Sequence, residues 1–300
     1  GSLGGYFGGR LAMAGEEVHF LGRGPTLAAL KASGLRVESV LGDFAVPPGQ
    51  THATDDPASI GPVQIVLFTV KSFDTESAAA TLPPLLGRET AVISLQNGIH
   101  NEDVIASTIG PQHTAGGVAF IFAGVVEPGF VRHTGGPARI TFGELDGSRT
   151  PRLEAFLAAC LHAGINAELS DDIRAALWTK FTFICAQAGL TAATRQPIGV
   201  IRETPLTWDL FCRVVSEVVS VARAAGVRLP DDIVERQLDV VRGLQPTAYS
   251  SLYDDMVAGR RMELEGLLGE LVRRADREGI PTPVASVLYG VLLPTAAQVR

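Results

Sequence analysis

From its start to about residue 170, this sequence alternates short apolar, β-branched runs with helical patterns, and then turns to helices almost without interruption. The runs EVHFLG, VQIVLFTV, AVISLQNG and TAGGVAFIF are separated by helical stretches, the first around Leu27 to Ser33. Strands that are apolar along their whole length are buried on both faces. Their alternation with helices specifies a parallel sheet with helices on either side. VRHTG and ARITFGE come next with shorter, alternating patterns that suit a hairpin closing the sheet. The linker-like GELDGSRTP leads into a helix from about Pro151, with proline in its first turn, and Ile165 to Leu169 reads as the last strand. Beyond it the spacing predicts helices over 171–192, 205–225, 230–243, 247–258 and 262–278. GVRLPDD and GIPTP punctuate them, glycine ending one helix and proline being unable to continue it. The expected organisation is an α/β domain over 1–170 followed by an all-helical domain over 171–300.

A chain of 300 residues, 46% of them hydrophobic, can build a substantial core. Its formal net charge of -7, with no Lys/Arg run or basic stripe, argues against nucleic acid as a partner. No apolar segment reaches the length of a membrane span, and the start lacks the charged region and cleavage site of a secretory signal. The expected protein is soluble and cytoplasmic, with no membrane partner. The three cysteines, Cys160, Cys185 and Cys212, are widely spaced in apolar helical contexts and match no metal or redox pattern. They read as reduced core residues, Cys185 being worth watching for its closeness to Lys180, and no metal site is expected.

The opening GSLGGYFGGRLAMAGEEVHFLGR has Gly1-x-x-Gly4, then an apolar helix, then a strand. This is the second half of a dinucleotide fingerprint, in which glycines let the backbone approach a pyrophosphate at a helix N-terminus. The fingerprint's first glycine and the strand before it stand outside this sequence. A start that was cut or misassigned is the expectation, and a sheet without that strand should bind a dinucleotide poorly. The strand EVHFLG ends in Arg23, where an acid would take the ribose 2′-hydroxyl of NAD and an arginine suits the 2′-phosphate of NADP. A solvated arginine in a GRGP turn is an equal reading. Lys71 in FTVKSFDT and Asn97 in SLQNGIHN lie just past strand C-termini, the edge at which open α/β sheets bind ligands. The first domain is accordingly expected to be a Rossmann-type dinucleotide-binding domain.

In WTKFTFICAQAGLTA, Lys180 is set among Trp, Phe, Ile and Leu with no acid within a helical turn. A lysine can lay its stem along apolar surface and reach water with its ammonium, which accounts for most lysines in such company. A desolvated amine in a site is the other reading.

Taken together, GSLGGYFGGRLA, VKSFDT, SLQNGIHNED, IRAALWTKF, LTAATRQPIG and SSLYDDMVAGRRMELEGLLGELVRRADREGIPTP resemble the ketopantoate reductase family in order and spacing, over essentially the whole chain. Members reduce 2-dehydropantoate to pantoate with NADPH, on the way to coenzyme A. The resemblance implies a Rossmann domain followed by a helical domain with the active site in the cleft between them. It makes Lys180 the catalytic lysine, Glu263 the catalytic glutamate and Ser251 a substrate contact, and puts Lys71 and Asn97 near cofactor and substrate. On its residues alone, Glu263 reads as a surface glutamate on an acid-rich helix with Glu265 and Glu270. The chain departs from the family where members usually carry three asparagines: here stand Ile184, Ala188 and Leu268. Gln187 and Thr191 are the nearest polar replacements. Three functions are therefore expected to compete: reduction of a less polar 2-keto acid, ketopantoate reduction with compensating contacts, and a catalytically silent NADP-binding sensor or partner-binding protein. The long apolar helices around 205–225 and 284–298 would suit a homodimer interface.

Overall fold

A computed structural model gives the fold and describes residues 1–298. The chain divides into two compact units, one formed by Gly1–Gln96 with Asn101–Ile173, the other by Asn97–His100 with Arg174–Arg300.

The first unit holds α1 (Ser2–Met13), β1 (His19–Leu21), α2 (Gly24–Ser33), β2 (Leu35–Ser39), β3 (Phe44–Val46), β4 (His52–Thr54) and β5 (Val63–Phe68). It continues with α3 (Thr75–Ala79), β6 (Leu86–Ser94), α4 (Asn101–Ile109), β7 (Thr114–Glu127), β8 (Phe130–Glu144), α5 (Pro151–His162) and β9 (Asn166–Leu169). One sheet runs in the order β3-β2-β8-β7-β6-β5 with β9 also on β8, while β1 and β4 pair parallel in a separate two-stranded sheet. The pairs β5/β6 and β6/β7 are parallel. Ile93 in β6 and Leu95 just past it are fully buried, whereas β5, at the sheet edge, buries only Phe68 and so departs from the expected burial on both faces. The parallel-strand, Rossmann-like sheet with helices is thus present.

VRHTG and ARITFGE prove to be one strand, not two. They form β8, which makes the antiparallel hairpin with β7. The residues that read as a break, Gly136 at φ 81° and Ala138 at φ 45°, mark where β8 leaves β2 and joins β9. The β2–β3 hairpin escaped the sequence reading. Its strands are short and half exposed, so no apolar run announces them. Helix α1 lies close on the sheet because its inner face is glycine: a Cβ on Gly5 would stand 2.9 Å from Val131, and one on Gly9 2.8 Å from Leu35 and Phe44.

The second unit is helical: α6 (Ile173–Thr194), α7 (Ile198–Glu203), α8 (Pro205–Ala224), α9 (Ile233–Arg242), α10 (Ser251–Val257), a π-helical turn (Glu265–Gly269), α11 (Glu270–Glu278) and α12 (Pro283–Ala297). Proline opens α8 and α12, where its missing N–H costs nothing. Helix α8 packs on α7, α9, α11 and α12, burying Phe211, Val214, Val215 and Val218. Among the described residues no helix is long and apolar enough to cross a membrane.

Candidate active site

Helix α6 is apolar on most sides, and its middle is largely buried. Between Leu177 and Ala192 only Thr179, Lys180 and Ile184 keep partial exposure. Ile184 lies one turn after Lys180 and shares its face. The Lys180 ammonium donates to Oδ1 of Asn97 at 2.7 Å. Burial pushes the amine down to about 8, against the Glu263 carboxylate, which favours the charged form. Glu263 is itself 8% exposed, so the surface reading of this residue does not hold. Lys180, Asn97 and Glu263 are thereby joined within the second unit. An amine poised near neutrality can give a proton to an oxygen that gains negative charge and recover it from solvent.

The polar groups further along the same face are committed to one another. Thr191 donates its hydroxyl to the Gln187 carbonyl at 2.7 Å, so at the 2.6 Å contact with Ser250 it is Ser250 that donates. Ser250 in turn caps α10 by accepting from the Tyr253 N–H, and Gln187 points its amide at the Tyr249 carbonyl, 3.5 Å away. Ser251 is exposed at the first residue of α10, whereas its neighbour Ser250 makes the inward contact. Ala188 and Leu268 are core: they are 3% and 0% exposed, and a Cβ on Gly189 would lie 3.1 Å from Leu268 Cδ1. Cys185 is buried and its thiol is pushed well up by burial, which keeps it an inert core group.

In the first unit, the residues expected to hold a dinucleotide lie at α1 and at strand ends. Gly1 precedes α1, which has no side-chain cap and no acid in its first turn. Gly4 faces the residue after β5: a Cβ there would come 2.8 Å from Thr69 Oγ1. Arg23 is exposed just past β1 at the N-terminus of α2, and Lys71, half-buried, precedes a short 3-10 turn beyond β5. An uncapped helix start with close-packed glycine, and cations just past the ends of two strands, are the groups a phosphorylated dinucleotide needs.

A buried network that the sequence reading missed supports this edge. Gln96 donates to the Val70 carbonyl at 3.0 Å and to Thr75 Oγ1 at 2.8 Å and accepts from Ser94 at 3.3 Å, while Thr75 donates to the Ser72 carbonyl at 2.8 Å. It ties the end of β6 to the loop that carries Lys71. The only signal was an amide beside Asn97 at a strand end, which sequence alone cannot distinguish from a solvated one.

Residues 1–147 match the family model described as ketopantoate reductase PanE/ApbA, and residues 172–295 match the model of its C-terminal part. A 2-dehydropantoate 2-reductase of Halobacterium salinarum is 33% identical over 300 residues, covering 96% of this chain and 94% of the relative. The crystal structure of a PanE/ApbA family ketopantoate reductase from Ralstonia eutropha superposes with a TM-score of 0.90 at 35% identity, covering 99% of this chain and 96% of that one. A D-mandelate dehydrogenase solved with NADH and anilino(oxo)acetate reaches a TM-score of 0.90 at 20% identity, a likeness of fold.

Proposed function

The chain belongs to the ketopantoate reductase family, and on that premise we propose that it is an NADPH-dependent reductase that turns a 2-keto acid, ketopantoate or a less polar relative, into the 2-hydroxy acid. The observation that carries this is the Lys180 amine, held on Asn97, lowered to about 8 and coupled to Glu263. When bound, NADPH supplies the hydride. Lys180 gives its proton to the carbonyl oxygen as that oxygen gains charge, Asn97 orients the ammonium, and Glu263 keeps it protonated at neutral pH. Gly1 and Gly4 receive the pyrophosphate, Arg23 and Lys71 the remaining phosphate and polar groups, and Asn97 holds the substrate. Ser251, the contact implied by the family resemblance, serves only from the exposed start of α10, since Ser250 takes the inward place. NADPH oxidation against a panel of 2-keto acids tests the reading. Tight NADPH binding with no turnover on any of them would leave the silent sensor in its place.

Arg23 carries the cofactor preference. A charge-assisted contact to the 2′-phosphate is worth about 1.5–3 kcal/mol, so Arg23→Ala should weaken NADPH binding roughly tenfold or more and leave NADH unaffected. Titration of both cofactors checks this, and equal affinities in the wild type would remove Arg23 from the site. The exposed Val287 and Val291 of α12 and Leu206 and Leu210 of α8 suit a homodimer of this cytoplasmic enzyme. Light scattering across a dilution series reads the mass directly.

A further inference from the structure

Glu263 enters a segment that is not an ordinary helix. In the turn Glu265–Gly269 the Gly269 N–H reaches back five residues to the Leu264 carbonyl at 3.0 Å. A π turn holds one residue more than the α-helix would, is rarely stable by itself and needs a local reason to persist. Here the reason is visible on two neighbouring helices. Tyr289 of α12 donates its hydroxyl to Glu265 Oε1 at 2.7 Å. Arg273 of α11 donates to Glu265 Oε2 and to the Glu265 carbonyl, each at 2.7 Å. Gly269 leaves the room they occupy: a Cβ there would lie 2.8 Å from Glu265 Oε2 and 3.2 Å from both Arg273 Nη1 and Tyr289 Cε2.

The contacts do not stop at the turn. Arg273 also faces Glu270, a carboxylate 4% exposed that accepts from Arg274 at 3.1 Å and Arg277 at 3.3 Å. The Arg274 guanidinium lies 5.7 Å from the ring centre of Trp178, two residues before Lys180 on α6. A continuous chain of hydrogen bonds, ion pairs and one cation–π contact thus runs from α12 through the π turn and α11 to the helix that carries Lys180.

We infer that Tyr289, Arg273 and Glu265 are positioning residues: they clamp the π turn and so hold Glu263 in its place beside Lys180. The inference rests on the reading of Lys180 and Glu263 as the working pair. If the clamp opens, the turn relaxes to α geometry and gives up one residue of register, which rotates the segment carrying Glu263 by about 100° against α11. Glu263 then leaves the direction of Lys180. Arg273 and Tyr289 face Glu265, and the Glu263 carboxylate acts on Lys180. Since Glu263 raises the Lys180 amine, its departure lowers it, and the pH above which the proton is lost falls.

The test compares kcat against pH for the wild type, Tyr289→Phe, Arg273→Ala and Arg273→Lys, with the KM for NADPH measured alongside. The alkaline limb, near the amine's value of about 8 in the wild type, should move down by roughly half a unit or more in Tyr289→Phe and Arg273→Ala. The KM for NADPH should stay within about twofold, and Arg273→Lys should return part of the shift. An unmoved limb overturns the clamp, and so does a fall in kcat that is uniform across pH, the mark of a merely structural loss. Tyr289→Phe removes one hydroxyl and keeps the comparison open if Arg273→Ala does not fold. The pH dependence of Lys180 acetylation by acetic anhydride, read by peptide mass spectrometry, tracks the same amine without turnover. If no keto acid is reduced, the proposed function fails while labelling still decides the clamp, a lowered midpoint in Tyr289→Phe supporting it and an unchanged one refuting it.

Discussion

Lys180→Ala lowers kcat by about a hundredfold or more, the usual scale for a lost proton donor, and leaves NADPH affinity nearly unchanged. Each half of this result is set by where the lysine sits. Its ammonium touches Asn97 and feels Glu263, so its removal takes away the group that would stabilise a developing oxyanion. It lies in the second unit, whereas Gly1, Gly4, Arg23 and Lys71 lie in the first. Because the amine sits at about 8, it is protonated at neutral pH and empties above that value, so the rate of reduction should fall as pH rises through 8. Glu263→Gln should move that fall to lower pH, since the carboxylate is what raises the amine. A variant at position 180 that keeps more than half of wild-type turnover would return Lys180 to an apolar stem with its head in water.

The same lysine should weigh on stability. Its folded value of about 8 lies below the ordinary 10.5. Between those two values the unfolded chain holds more protons than the folded one, so stability rises with pH across this window and the cost of the buried charge is fully present below it. Lys180→Met keeps the length of the stem and removes the charge. It should melt at a higher temperature than the wild type at pH 7, and its melting temperature should respond less to pH between 8 and 10. Loss of activity together with a gain in stability is the signature of a functional burial, and a lower melting temperature would count against it.

How much of the fold and the site could be read beforehand depends on whether the deciding contacts are local. VQIVLF reads as a strand because the apolar run is too short for a helix, but its place at the sheet edge, which leaves all but Phe68 partly exposed, is set by β6 and not by its own residues. Pro151 and Pro205 had to open helices because proline fits the first turn and not the interior. VRHTG and ARITFGE could not be read as one strand, because the glycines and the positive φ at Ala138 that break the local pattern are compensated by β2 and β9, far away in the chain. The site divides in the same way. Lys180 announced itself by standing in an apolar helix, whereas the burial of Glu263 depends on a π turn that α11 and α12 hold, and nothing within it betrays them. Adjacent serines are beyond any spacing rule: which of Ser250 and Ser251 turns inward is decided by the start of α10 and by Thr191 across from it.

The substituent beside the keto carbon is where the second large effect is expected. 2-Keto-3,3-dimethylbutyrate, which is ketopantoate without its 4-hydroxyl, should be reduced with a kcat/KM roughly five- to 150-fold above that of ketopantoate. The range is that of about 1–3 kcal/mol for one buried hydroxyl left without a partner. Of the polar candidates that could rescue the hydroxyl, Thr191 is held between the Gln187 carbonyl and Ser250, and Gln187 turns its amide toward the Tyr249 carbonyl, 3.5 Å away. One turn after Lys180 the accessible side chain is Ile184, which offers only apolar groups. Of the three apolar substitutions it is therefore the one that can act on substrate. Ile184→Asn should narrow the ratio by about tenfold, since the amide returns a partner where the face is open. Ala188→Asn and Leu268→Asn place an amide in packed core and should instead cost stability, about 1–3 kcal/mol each, with no gain for ketopantoate. Steady-state kinetics on the two keto acids, with thermal melts of the three variants, separates these outcomes. Should ketopantoate be the better substrate of the wild type, its hydroxyl has a partner off the Lys180 face of α6, and selectivity does not rest on Ile184.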